Sequence, residues 1–423
     1  MSLGITDEHV ELAASLRRWA AGLGAVAAVR AAEGEPDEDF ADVWKAAVEM
    51  GVPTIGLPEA AGGGGGSVMD VAVALEACAH ELVPGPLLGA ALAAWLLGDS
   101  PVAGAVGDGA RVGVAAAGET VWDAPGATHV LLSRDQDAWY VLPRADVVVT
   151  PVVGLDLSRR YGLPEALDGV EAGVRVDGLT ADRVRRAAVT LGAAEAAGVA
   201  RWCLETAVEY AKVREQFGRP IGSFQAVKHL CAEMLETAEA VTAAAWDVAA
   251  AAPISGSDDP QWAFAADVAE AVCFDGAVEV AKSCIQVLGG IGFTFEHDAH
   301  LYLRRALALR GLLADGDAPA RLAARAVDGR TPSGRARPRG PRRAGPGGGP
   351  GPGRGDRGGA GRPAPGRPRR GGLPGPALAG AARARRGRRD ADRHRPGAGP
   401  GRCRAARPGH RRVGGPDDPR ARH

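Results

Sequence analysis

From Thr331 to His423 the chain changes its alphabet. That segment has no Phe, Trp, Tyr, Ile, Met, Lys or Glu and is dominated by Arg, Gly, Pro and Ala. A core must bury enough apolar surface to offset the conformational entropy of ordering the chain, and this composition cannot supply it. Whatever folds therefore lies in residues 1–330, and residues 331–423 are expected to be disordered. A GC-rich gene read out of frame yields the same alphabet, and the helical pattern "ARLAARAVDGR" ahead of it stops mid-repeat. A frameshifted terminus is favoured over an evolved arginine–glycine arm. A last helix cut short would leave part of its apolar stripe wet, at about 25 cal/mol per Å².

The formal charge of −1 conceals two opposed parts. Of 50 Lys and Arg and 51 Asp and Glu, 25 Arg and 5 Asp follow residue 330, which puts +20 on the tail and −21 on residues 1–330. So acidic a body is a poor general binder of nucleic acid. Phosphate binding by the basic tail is the reading from another class, and it would weaken steeply with salt. The six cysteines (Cys78, Cys203, Cys231, Cys273, Cys284, Cys403) show neither Cys-x-x-Cys nor a His spacing suited to zinc, and most sit in helical patterns, as buried thiols do. The opening "MSLGITDEHVELAASLRRWA" is unlike a secretion signal. The run "LLGAALAAWLLG" at 87–98 is short of the roughly 20 residues a bilayer requires. A soluble, cytoplasmic protein without membrane insertion is expected.

Three textures divide the first 330 residues. Residues 1–110 read as helices, with Thr6 a candidate N-cap and another helix opening near Ser67 after the Gly-rich "EAAGGGGGS". Residues 111–178 carry short β-branched runs ("RVGVAAAG", "HVLLS", "AWYVLP", "DVVVTPV") punctuated by Asp, Gly and Pro, which read as strands. Residues 179–330 return to helix. One long helix tolerates Gly192 and Gly198, where another helix would pack close. Ser223 is read as the cap of a second helix with the stripe Val227, Leu230, Met234, Ala238, Val241, Ala245 and Val248. Asp259-Pro260 opens a third that stops at Gly289-Gly290, and a fourth begins near Asp298. The expected fold is mainly α with a small β domain: an N-terminal helical domain, a middle β domain, a C-terminal four-helix bundle and the tail.

The turn "VREQFGRPIGSFQ" (213–225) is richer than a bend needs. Arg214 is a planar, permanently charged fork suited to pyrophosphate. Gly218 lets backbone approach, and Gln225 adds an amide at the start of the next helix. A second cluster, "QVLGGIGF" at 286–293, ends a helix with Gln286 and a Gly pair. Singly these are ordinary helix-end features.

Together, "YAKVREQFGRPIGSFQAVKHLCAEM" and "QVLGGIGFTFEHDAHLYLRRA" resemble the C-terminal helical domain of the acyl-CoA dehydrogenase family, and "GLPEAAGGGGGSVMDVAVALEACAHEL" resembles its first domain. The resemblance runs from Met1 to about Arg330, loosely between Arg111 and Val176. It implies FAD bound across a subunit interface, with Arg214 at the pyrophosphate of a neighbouring subunit's cofactor. It places Gln225 and the run Gln286, Val287, Leu288, Gly289 and Gly290 around the ADP portion. Phe217 and Phe224 stay open between flavin contact, interface and core. The implied reaction is α,β-desaturation of an acyl-CoA thioester to the trans-2-enoyl-CoA. Its implied electron acceptor is an electron-transferring flavoprotein.

That chemistry also requires a carboxylate base of raised pKa. The position in register with the family's usual Glu is Leu313, and the alternative position used by some members is Ala188. Both expected bases are missing. The chain thus resembles the subunit lacking the catalytic Glu in heteromeric bacterial acyl-CoA dehydrogenases, which act on bulky CoA esters such as sterol side chains. The β region, with Trp122 and Trp139 but no Thr/Ser-rich lining, agrees with that. The alternative is a self-sufficient homomeric enzyme using Asp315, whose plain reading is a solvated helix cap. His297 and His300 make no convincing metal set. Arg304-Arg305 reads as pairing with acidic neighbours in the bundle.

Overall fold

A computed structural model describes residues 5–35, 37–117, 120–135, 138–165, 169–253 and 259–328. The expected disorder and frameshift of residues 331–423 lie outside the described residues.

Six helices come first: α1 (Asp7–Ala21), α2 (Ala25–Ala31), α3 (Ala41–Glu49), α4 (Val68–His80), α5 (Leu87–Leu97) and α6 (Ala103–Gly107). Thr6 and Ser67 cap α1 and α4 through reciprocal capping boxes with His9 and Asp70, which satisfies first-turn N–H groups. The apolar run at 87–98 is α5, buried on nearly every face between the first helices and the sheet. No helix among the described residues is long and apolar enough to cross a membrane.

Seven strands follow: β1 (Val112–Ala117), β2 (Thr120–Trp122), β3 (His129–Asp135), β4 (Ala138–Pro143), β5 (Val149–Val152), β6 (Tyr161–Pro164) and β7 (Val174–Val176). Their order is β5-β6-β2-β1-β3-β4-β7, antiparallel except for the β1/β3 pair. Period-two alternation sorts their side chains between two cores. Val114, Trp122, Leu131, Trp139 and Val141 join the core shared with the helices, whereas Val130, Leu132 and Leu142 form a smaller cluster on the other face. Trp139 is thus sheet core.

The bundle consists of α7 (Ala181–Val213), α8 (Gln225–Ala251), α9 (Pro260–Leu288) and α10 (Ala299–Leu313), followed by the short α11 (Ala318–Val327). Both glycines of α7 sit at close approaches. A Cβ on Gly192 would meet the Leu313 side chain of α10, and one on Gly198 would meet the Glu76 carbonyl of α4. Asp259 caps α9 by accepting from Gln261 N–H at 2.8 Å, with Pro260 in the first turn. Ser223 does not cap α8. It lies in a 3₁₀ turn (Ile221–Ser223), and α8 starts after Phe224 with no side-chain cap. In the α8 stripe Met234, Ala238, Val241, Ala245 and Val248 are buried, while Val227 and Leu230 are partly buried against the same core. α11 buries only Ala318 and docks through ion pairs instead: Arg321 to Asp267 and Glu270 (both 2.7 Å) and Arg325 to Asp267 (3.0 Å).

Candidate functional site

The α7–α8 connection is a miniature hairpin. α7 ends where Arg214 turns extended, its N–H still donating to the Tyr210 carbonyl at 2.9 Å. Two-residue strands β8 (Glu215–Gln216) and β9 (Arg219–Pro220) then pair antiparallel around Phe217-Gly218, both in the left-handed region at φ +55° and +75°. Two left-handed residues at a two-residue loop are the hairpin geometry that usually selects Asn-Gly. Gly218 fits it; Phe217 does not, because its Cβ crowds the backbone there. Its ring is 91 % exposed, touching Phe224 edge-on at 6.0 Å, while the Arg219 guanidinium covers the Phe224 face at 4.1 Å. Gly222 holds the hairpin down, since a Cβ there would meet the Ala211 carbonyl at 2.8 Å.

This fold leaves Arg214 and Gln225 exposed, one at the end of α7 and the other as the first residue of α8. Among the described residues the Arg214 side chain makes no hydrogen bond or ion pair. A permanent cation therefore stands beside a 27-residue helix whose first N–H groups have no side-chain cap. That pair of donors suits a phosphate or pyrophosphate.

The second cluster closes α9. Gln286 is exposed, Val287 and Leu288 send their side chains into the core, and any part those two take in a site is a backbone part. Gly289 adopts φ +63°, ψ −134°, and Gly290 has open space where a Cβ would be. Bare backbone is thus presented next to the Gln286 amide. Phe293 (75 %) and Phe295 (66 %) stand exposed beyond it, around a 450 Å³ cavity that Gln286 and His300 also line. Large apolar side chains left in water are the mark of an interaction surface or a ligand-binding groove. No hydrogen bond or ring contact among the described residues joins this cluster to the Arg214 turn. The donor set fits the ADP portion of FAD, and the antiparallel packing of α8 on α9, with Cys273 against Val241 and Gly276 against Thr237, puts both clusters at the same end of the bundle.

The two positions where the family resemblance implies a base are apolar. Ala188 is buried on α7. Leu313, at the end of α10, packs over Gly192 one turn further along α7, next to Phe274. Asp315 is exposed and tied down: it accepts from Asp317 N–H and from Arg321, each at 2.7 Å, and its own N–H donates to Glu270 at 3.1 Å. Burial works to raise its carboxyl, yet the bonds to Glu270, Asp317 and Arg321 outweigh this and hold it at about 2. So weak a base is far from the raised carboxylate that α-proton abstraction calls for.

Sequence reasoning missed a buried ionic network where the sheet meets α7 and α10. Arg159 pairs with Glu195 of α7. Arg305 of α10 pairs with Asp156 at 3.3 Å and donates to Ser158 and to the Val83 carbonyl at 3.0 Å. The acidic partner of Arg305 thus comes from the β region, not the bundle. Burial pushes Asp123 up to about 7 despite Arg159, and its Oδ2 has no partner. Only the density of charge in "LDLSRR" (155–160) hinted at this cluster.

The acyl-CoA dehydrogenase N-terminal domain matches residues 6–99 and the C-terminal domain matches 183–313. Acyl-CoA dehydrogenase FadE34 of Mycobacterium tuberculosis is 44 % identical over 73 % of this chain, which spans 46 % of FadE34, about half its length. Acyl-CoA dehydrogenase IpdE2 of the same organism is 35 % identical over 70 % of this chain and 89 % of its own length. Two solved structures share the fold. A Tcur3481-Tcur3483 steroid ACAD variant has TM-score 0.67 and 24 % identity, covering 78 % of this chain and 99 % of its own. The ChsE4-ChsE5 complex from Mycobacterium tuberculosis has TM-score 0.66 and 23 % identity, covering 79 % and 100 %. The chain belongs to the acyl-CoA dehydrogenase family, whose members are FAD-dependent oxidoreductases acting on CH–CH bonds.

Proposed function

We propose that this chain is one subunit of a cytoplasmic acyl-CoA dehydrogenase, holding FAD in an interface shared with a homologous subunit that contributes the base. FAD, when bound, supplies the hydride acceptor for desaturation of an acyl-CoA to the trans-2-enoyl-CoA. The chain's own residues bind and orient. The Arg214 guanidinium and the uncapped start of α8 hold the pyrophosphate. Gln225 and Gln286 donate to the ADP portion, and Gly289 and Gly290 admit it against bare backbone. The exposed Phe217, Phe293 and Phe295 are covered by the partner and keep water from the cofactor edge. Electrons leave to an electron-transferring flavoprotein.

The observation that carries the subunit reading is the pair Ala188 and Leu313, both buried and apolar where a carboxylate would stand. Asp315, bound to Arg321, does not replace it. The names of the two solved relatives, a complex of two proteins and a steroid ACAD, favour a heteromer and a bulky acyl group. The test is expression of the chain alone and together with a homologue bearing the Glu. Flavin and acyl-CoA-dependent dye reduction are expected only in the co-purified pair. Stoichiometric flavin and turnover in the chain alone would overturn the reading.

A further inference from the structure

α1, α4, α7 and α8 line a solvent-open groove of about 430 Å³, apart from the residues proposed to hold FAD. Its size falls in the roughly 300–1,000 Å³ range of small-molecule sites. Ile5, Val10, Ala13, Val73 and Ala77 make apolar walls. The charges around it are mostly settled among themselves. Arg17 pairs with Glu205 at 3.0 Å, His80 bonds the same carboxylate at 2.9 Å, and Arg201 pairs with Glu239 at 2.9 Å.

Glu76 is the exception. One of its oxygens accepts from the Trp246 indole N–H at 2.8 Å. No cation lies within ion-pair distance, and no donor among the described residues reaches its other oxygen. Burial raises this carboxyl, opposed first by the Trp246 bond and then by Arg201, His80 and Arg17. A partly buried carboxyl with a spare oxygen, set among apolar walls, offers a hydrogen bond to a guest that enters the groove. An ammonium guest would meet Arg17 and Arg201, and a carboxylate guest would meet Glu76 and Glu205. A hydroxyl suits both forms of Glu76, accepting from the acid or donating to the carboxylate.

We propose that this groove binds a small apolar alcohol, with its hydroxyl on Glu76 and its hydrocarbon body between Trp246 and the inner face of α1. The probe is decahydro-2-naphthol, titrated calorimetrically into the full chain. Saturable one-to-one binding is expected. Ala13→Phe, which fills the groove, should abolish it. Glu76→Leu should weaken it about 3- to 10-fold, the worth of one net hydrogen bond, while Glu76→Gln stays within about threefold. Should a variant fail to fold, intermolecular NOEs in the wild type decide, and they should fall on the Trp246 indole and on Ile5 and Val73 methyls. The proposal is overturned by no saturable binding, by NOEs elsewhere, by equal affinity in Glu76→Leu, or by tighter binding of the corresponding amine.

Discussion

At the scale of single residues, strain and exposure coincide at Phe217. A non-glycine residue in the left-handed region costs roughly 1–2 kcal/mol, less for Asn. Phe217 accepts that cost while giving its ring to solvent. Phe217→Asn, which the loop geometry prefers, is therefore expected to raise stability in urea by about 0.5–1 kcal/mol. The same change should lower recovery of the subunit pair on affinity purification. Unchanged or reduced stability would show that the loop is not strained. Glu270 makes a second residue-level prediction. Burial first, then the neighbouring Asp315 carboxyl, lifts it to about 7 from an ordinary 4.5, against the pull of Arg321 and of the Asp315 N–H. The folded state thus keeps this proton longer than the unfolded chain does. The stability it lends is full below about pH 4.5 and is lost as pH climbs toward 7. Asp315, held at about 2, acts in the opposite sense but only below about pH 4. Asp123 runs parallel to Glu270 and is present in both proteins compared. Thermal melts from pH 5 to pH 8 should show the wild type losing ground to Glu270→Gln, and a pH-independent difference would refute the assignment.

At the scale of elements, α7 is the organising helix, and its glycines set how closely others approach. Gly198→Ala would drive a methyl into the Glu76 backbone carbonyl, which cannot move without α4. Gly192→Ala meets only the end of the Leu313 side chain, which can rotate away. Overpacking typically costs about 1–3 kcal/mol, so Gly198→Ala should fall at the upper end and Gly192→Ala well below it in denaturant melts. The reverse order would contradict this packing. Elements like these were legible in advance because helix period, caps and Gly stops are local signals, as at Thr6, Ser67, Asp259 and Gly289. The β8/β9 hairpin was not, because Phe occupies the place where Asn would announce the turn. β2, β6 and β7 were too short to show an alternation. Ser223 misled because a 3₁₀ turn carries the chain past it before α8 begins.

At the scale of the whole molecule, one core runs from α1 to α10 and takes in one face of the sheet. The charges buried inside it were illegible, since Arg305, Asp156 and Glu195 are brought together only by tertiary folding. Removing one partner from such a set strands the other, at about 3–5 kcal/mol. Arg305→Met should therefore lower stability by roughly that amount without touching either proposed FAD edge; a loss below about 1 kcal/mol would mean that Asp156 is otherwise satisfied. The candidate site divided along the same line. The motif residues are local signals in the sequence, but their exposure along solvent-facing edges at one end of the bundle is a property of the folded surface. Such edges make sense if a second polypeptide closes them. The most direct measurement is flavin content of the co-purified pair carrying Arg214→Ala. Loss of about 1.4 kcal/mol or more of binding, a drop in flavin affinity of about tenfold, is expected with the pair still associated. Flavin bound as tightly as in the wild-type pair would contradict a cofactor held by this turn.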